Sequence, residues 1–176
     1  MTAVLARVTE PLTLPLDRAA SAVLPTLARL VFAGVLLVYY LHSAGTKHEG
    51  LSLSLGAYAQ IYPKAMAAAG FDITQMSAFQ TLVVTAGTIA EYVLPILLLV
   101  GLLTRLSALG MIGFVLVQTA TDIWGHDAGP ETIGTWFDRL PDAALADQRA
   151  LWIMLLLIPV FHGGGPLSLD RLFLRR

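Results

Sequence analysis

The chain has 176 residues, with 11 Lys or Arg, 12 Asp or Glu, 4 His and no Cys. Only 13% of residues are charged, 56% are hydrophobic and the mean hydropathy is +0.72. Soluble domains carry about 25% charge, so this composition argues against an ordinary cytosolic enzyme, a disordered chain or a nucleic-acid binder. Without cysteine there are no disulfides, thiolate nucleophiles or Cys-ligated metals, and any redox chemistry rests on a bound cofactor or a partner.

Residues 1–23 read as a cytoplasmic lead-in, because Glu10, Pro11, Pro15 and Asp17 interrupt the apolar run that a secretory signal needs. A membrane-crossing helix takes about 20 mostly apolar residues, and four stretches approach that length. The first covers 24–44, with Arg29 near its start and His42 near its end. A loop follows whose SLGAYAQIYPKAMAAAGF segment has the apolar spacing of one amphipathic helix lying in the interface, or of an ordinary ordered loop. The second span covers 78–103 with Glu91 at its middle, and the third covers 106–124 and turns polar at its far end. A loop rich in acids, Gly and Pro leads to the fourth, 143–161, whose strictly apolar part is 150–161. The expected fold is all-α, a four-transmembrane antiparallel bundle over residues 24–174.

Basic residues set the orientation. One side collects seven (Arg7, Arg18, Arg29, Arg105, Arg171, Arg175, Arg176) and the other four (Lys47, Lys64, Arg139, Arg149). Both termini are therefore expected in the cytoplasm. Tyr39, Tyr40, Trp124, Trp136 and Trp152 fall near the outer face, as an aromatic belt does.

A carboxylate within the hydrocarbon layer is costly by a few kcal/mol. Glu91 lies about 16 Å from the inner end of its span at the helical rise. It must face the bundle, be protonated or pair, and Arg29 is the one cation within the spans able to approach it. Either a buried Arg29–Glu91 pair or a protonated Glu91 bonded to backbone fixes helix packing, or Glu91 is the partner of a proton or a quinone hydroxyl. On the third span Gln118, Asp122 and His126 recur at i, i+4 and i+8 and share a face. With His42 at similar depth and His48 just outside, they compose either a set of helix-end caps or a metal site, since imidazole suits Cu(II), Zn(II) and Ni(II). A quinone head-group pocket built from the same residues is a third option. His162 falls at the opposite face from His42 and His126, which argues against a shared haem.

Three features in order carry a resemblance: two motifs and, between them, the third span with its polar end. GTIAEYVLPILLLVGLLTRLSAL, with Glu91, Gly101, Thr104 and Arg105, and GGGPLSLDRLF, with Gly163 to Pro166, Ser168, Leu169, Asp170 and Arg171, resemble the hairpin and terminal motifs of the DoxX family. The first span resembles that family's opening at Arg29 and Gly34, ending in Lys47, so the resemblance covers about residues 24 to 174. It implies a four-helix protein of the bacterial inner membrane. Family members resemble small subunits of quinol and thiosulfate:quinone oxidoreductases, or are associated with oxidative-stress complexes or metal-stress operons.

In GLLTR the glycine allows a tight turn, and Arg105 sits where phosphate head groups or a cytoplasmic partner would meet it. In GGGPLSLD the glycines, Gly165 among them, end the fourth helix, and Ser168 and Asp170 suit the cap of a short tail helix. The tail arginines would hold it on the anionic inner leaflet.

The leading functional expectation is an accessory subunit of a membrane redox or stress-response assembly, with no redox cofactor motif of its own, contacting quinone through Glu91. Its partners would be the lipid bilayer and other membrane or periplasmic subunits, not nucleic acid. One alternative is a small transporter or handler of copper or another divalent metal, with His42, His48, Asp122 and His126 at an outer-face site. Another is a scaffold that recruits an extracytoplasmic partner through the first outer loop.

Overall fold

The computed structural model describes residues 2–174, with side chains from 16 to 173 except that of Arg18. Arg175 and Arg176 lie outside the described residues, as do the side chains of Arg7 and Arg18. The chain is mostly helical. Helix α1 (Thr2–Phe32) continues through a π-turn at Ala33–Leu37 into α2 (Val38–Gly45). The expected lead-in is thus helical and continuous with the first span. A two-residue strand pair, β1 (His48–Glu49) with β2 (Ser52–Leu53), comes next. Two short helices, α3 (Leu55–Ile61) and α4 (Pro63–Ala68), stand where the sequence allowed one amphipathic helix or an ordered loop. Pro63 explains the break, because proline is favoured in a first helical turn and cannot continue a helix through it.

Helix α5 (Ala78–Val100) opens with a capping box in which Ser77 and Gln80 each bond the other's backbone N–H. It ends at Gly101, whose φ of 70° is the left-handed conformation that closes helices. Helix α6 (Thr104–Ala120) starts after a three-residue turn and runs into a π-turn at Thr121–Gly125. A short α7 (Pro130–Ile133), a π-turn at Ala144–Gln148, α8 (Arg149–His162) and a tail helix α9 (Leu169–Leu174) complete the described chain.

Four helical stretches are long and apolar enough to cross a membrane: Ala19–Gly45, Ala78–Val100, Thr104–Gly125 and Ala144–His162. Each buries only 22–28% of its most apolar window within the protein. Val35, Val38, Leu82, Ile89, Leu116 and Leu151 point outward along them. A water-soluble bundle would hide such residues, whereas a lipid solvent favours their exposure.

Helix α8 packs on α6 and α1, and α5 packs on α6 and α2. Between them Phe32, Leu36, Tyr40, Leu98, Met111 and Leu156 form one apolar core. A second, smaller core joins Ala57, Tyr58 and Met66 to Val84 of α5. Residues 48–77 therefore do not float at the surface: α3 packs against α5. The first span ends level with the middle of α5, as shown by His48, whose Nε2 lies 2.8 Å from the Tyr92 hydroxyl.

Candidate functional site

That offset between spans builds a chamber of about 250 Å³ in which polar side chains stand among apolar ones. Helix α2 and the residue run after it contribute Tyr39, Ser43 and Lys47, and α3 contributes Gln60 and Ile61. Helix α5 supplies Val83, Gly87 and Glu91. The opposite wall is Phe114, Val117, Gln118, Thr121, Asp122 and His126. At the low end of small-molecule sites, the space suits a single ring or a small ion.

At its edge Glu91 meets Lys47, not Arg29. The Lys47 ammonium lies 2.9 and 2.7 Å from the two Glu91 oxygens, and Glu91 and Lys47 are only 5% and 4% exposed. The third ammonium N–H donates to Ser43 Oγ at 2.7 Å, and that hydroxyl donates to Glu91 Oε1 at 3.2 Å. All three donors of the ammonium are satisfied. Side chains of a helix lean toward its N-terminus. Following the end of α2, Lys47 therefore reaches back over Ser43, one turn earlier, into the bundle.

Arg29 is equally buried but at the opposite end. Its guanidinium donates to the carbonyls of Leu98 at 2.8 Å, Leu99 at 2.6 Å, Leu167 at 2.9 Å and to that of Gly164. The last turn of α5 leaves carbonyls without helical partners, and the planar fork of an arginine satisfies two of them at once. These acceptors hold Arg29 away from Glu91, which corrects the Arg29–Glu91 pairing expected from depth alone.

The metal candidates are not gathered as a ligand set. Asp122 forms an ion pair with Arg149, which also donates to Thr119 Oγ1 at 2.9 Å. His126 Nε2 donates to the Gln60 carbonyl at 2.8 Å, leaving Nδ1 as its other ring nitrogen. His48 binds Tyr92, His42 is exposed outside the chamber lining, and His162 lies at the far end against the Ile158 carbonyl. Among the described residues no group of three or more His, Asp or Glu is placed to hold a metal ion. Gln118, Asp122 and His126 do line one chamber, with Glu91, and the outward turn at Thr121–Gly125 carries Asp122 toward Arg149.

The chamber also has groups with hydrogen-bonding capacity to spare. Gln118 Nε2 donates to the Tyr39 hydroxyl at 2.8 Å, which leaves that phenol its own proton. The Gln118 Oε1 is buried and accepts from no protein group. Gln60 was not singled out by sequence, and Lys47 entered only as an outer-side basic residue and as the end of the first span in the family resemblance. Lys47 ends the first span, where a basic residue reads as an interfacial anchor, and only the contact with α5 reveals its inward reach.

The residues of the two sequence motifs meet at the other end of the molecule. Asp170 accepts from the amides of Leu103 at 2.7 Å and Thr104 at 2.8 Å, and its own amide donates to the Gly101 carbonyl at 2.8 Å. It therefore caps α6 from 66 residues away, not its own tail helix as expected. Ser168 keeps the tail role: its hydroxyl donates to the Gly165 carbonyl at 2.8 Å and accepts from the Arg171 amide. Arg105 donates to the Val160 carbonyl at 2.8 Å near the end of α8. A Cβ on Gly101 would fall 2.6 Å from Arg29 Cζ and from Ser168 Cβ, and one on Gly165 2.6 Å from Thr26 Oγ1. Burial alone raises the Asp170 carboxyl, but the hydrogen bonds from Thr104 and Leu103 and the charge of Arg29 outweigh it and hold the group below the usual carboxylate range.

No family model matches the chain, and neither does any curated protein or solved structure.

Proposed function

We propose that the chain is a DoxX-type multi-pass protein of the bacterial inner membrane, an antiparallel four-span bundle with both termini in the cytoplasm. In this reading it serves as an accessory subunit of a membrane redox or stress-response assembly and holds a quinone head group in the chamber beside Glu91 and Lys47. The observation that carries the reading is the chamber itself, a space between apolar helices whose mostly apolar lining holds a few polar side chains, Glu91, Lys47 and Gln118 among them.

Its lining suits a ring with two oxygens. Ile61, Val83, Phe114 and Val117 offer apolar walls, while the Tyr39 hydroxyl, which accepts from Gln118, keeps a proton to donate and Gln118 Oε1 is free to accept. A quinone carbonyl takes the first kind of partner and a quinol hydroxyl the second. The orientation rests on the sequence count of basic residues, seven on the motif side against Lys47, Lys64, Arg139 and Arg149 on the chamber side. The metal-handling alternative has less in its favour, because Asp122 and Glu91 each already face a cation.

The test is extraction of the protein from its membrane in mild detergent, with bound quinone identified by mass spectrometry and a short-chain quinone titrated into the delipidated protein. The reading expects saturable binding, weakened at least tenfold by Gln118→Leu. A wild-type protein that carries no quinone and binds none would overturn it.

A further inference from the structure

The motif end of the bundle holds a second cavity, an open groove of about 760 Å³. Arg105, Arg171 and His162 all line it. Arg105 spends an N–H on the Val160 carbonyl and lies against Gly163, where a Cβ would come within 3.7 Å of its Nε. No other hydrogen bond of its guanidinium is formed among the described residues. Arg171 is exposed and forms no side-chain hydrogen bond or ion pair among the described residues. The one carboxylate in the lining, Asp170, is engaged by the Leu103 and Thr104 amides. Two fixed positive charges thus stand against one committed negative charge.

The other wall is apolar. Leu103 and Leu106 line the same groove and are 49% and 66% exposed. The groove lies where α5 ends, α6 begins and α8 ends. The ends of membrane spans sit at head-group level, the depth at which lipid phosphates lie.

We infer that this groove is a binding site for a phosphate group, with an anionic phospholipid as its occupant: Arg105 and Arg171 take the phosphate, and Leu103 and Leu106 take the first part of the acyl chains. Arginine is suited to this because its planar fork matches phosphate oxygens in pairs. The site goes beyond a general attraction of basic residues to the inner leaflet. It is one cavity with a charged and an apolar wall, and it rests on residues that the quinone reading does not use.

The test uses the full chain in neutral detergent, with native mass spectrometry reading occupancy. The probes are dihexanoyl phosphatidylglycerol, dihexanoyl phosphatidylcholine and inorganic phosphate. The expected result is about tenfold tighter binding of the glycerol lipid than the choline lipid, abolished by Arg171→Gln, whose side chain holds no part of the fold together. Arg105→Lys, which keeps the charge and loses the fork, should weaken it less. Saturable binding of inorganic phosphate that Arg171→Gln removes, without any lipid preference, supports the phosphate site and assigns it to a soluble anion. Equal binding of the two lipids with no phosphate binding overturns the inference. So does a lipid preference that survives both Arg171→Gln and Arg105→Gln in protein with an unchanged circular dichroism spectrum.

Discussion

Exchanging Glu91 for Gln keeps the shape of the side chain and removes the charge that faces Lys47. The two side chains are 7% and 5% exposed, so this pair does not behave as a surface bridge, which is worth under about 1 kcal/mol. Breaking a buried pair from one side leaves the other charge desolvated, at a cost of about 3–5 kcal/mol. Ser43 Oγ still accepts from the ammonium at 2.7 Å and a Gln oxygen can accept as well, so Glu91→Gln belongs near the lower limit. Lys47→Met leaves the carboxylate with only the Ser43 hydroxyl and belongs near the upper one. The double variant Lys47→Met/Glu91→Leu removes both charges and should return to within about 1 kcal/mol of the wild type. With Glu91→Leu as the second single variant of the cycle, also costing about 3 kcal/mol or more, the coupling energy is about 5 kcal/mol or more. Unfolding of the purified protein by dodecyl sulfate in mixed micelles, followed by circular dichroism, measures each of these proteins. Single losses below about 1 kcal/mol that simply add in the double variant would mean that water reaches the pair, and the argument from burial would fail.

Three further outcomes concern the motif end, each read by thermal unfolding in detergent. Gly101→Ala places a methyl group 2.6 Å from Arg29 Cζ at a φ of 70° and should destabilise by about 2 kcal/mol or more; an unchanged midpoint would show that the turn relaxes freely. Arg29→Lys keeps the charge but cannot serve the four carbonyls of Leu98, Leu99, Gly164 and Leu167, and should lose about 2–4 kcal/mol; a loss under 1 would reduce Arg29 to a simple counter-charge. The Asp170 carboxyl is held below its usual range in the folded protein, so its contribution is present above about pH 4, the unfolded value, and disappears as the pH falls through the folded one. Asp170→Asn should therefore be less stable by about 1 kcal/mol near neutrality, with the gap to wild type closing in acid. A constant gap across that range would assign the effect to shape and not to charge.

The spans were legible because a membrane helix is a property of composition. A run of about 20 apolar residues needs no knowledge of its neighbours, and each of the four expected segments falls within five residues of a helical stretch at either end. Pairings between spans were not legible. Counting residues fixes depth along one helix but not the offset between two. Glu91 is the fourteenth residue of α5, yet it lies level with the end of the first span because residues 48–77 pack along the outer part of α5. Lys47 therefore reaches it and Arg29 does not. The shared face of Gln118, Asp122 and His126 came from spacing and their common chamber agrees with it. The partner of Asp122, Arg149, sits on another span and left no sequence signal.

The two ends of the bundle use charge in opposite ways, and this bears on where ligand chemistry belongs. At the motif end Arg29, Arg105 and Asp170 bind main-chain carbonyls and amides at helix ends. Such groups cannot be supplied by a rotated side chain, so these contacts fix the helices relative to one another and explain why GLLTR and GGGPLSLD, separated by some 60 residues, read as a matched set. At the chamber end the charges face each other, Lys47 with Glu91 and Arg149 with Asp122. Side-chain pairs can exchange partners without moving a helix. A ligand that enters beside Glu91 can therefore be accommodated by rotamer changes of Lys47, Ser43 and Gln118 while the motif end keeps the frame in place. A variant locked at the chamber, such as Lys47→Met/Glu91→Leu, should keep the fold and lose the binding, and that separation of stability from ligand affinity distinguishes a working site from a structural ion pair.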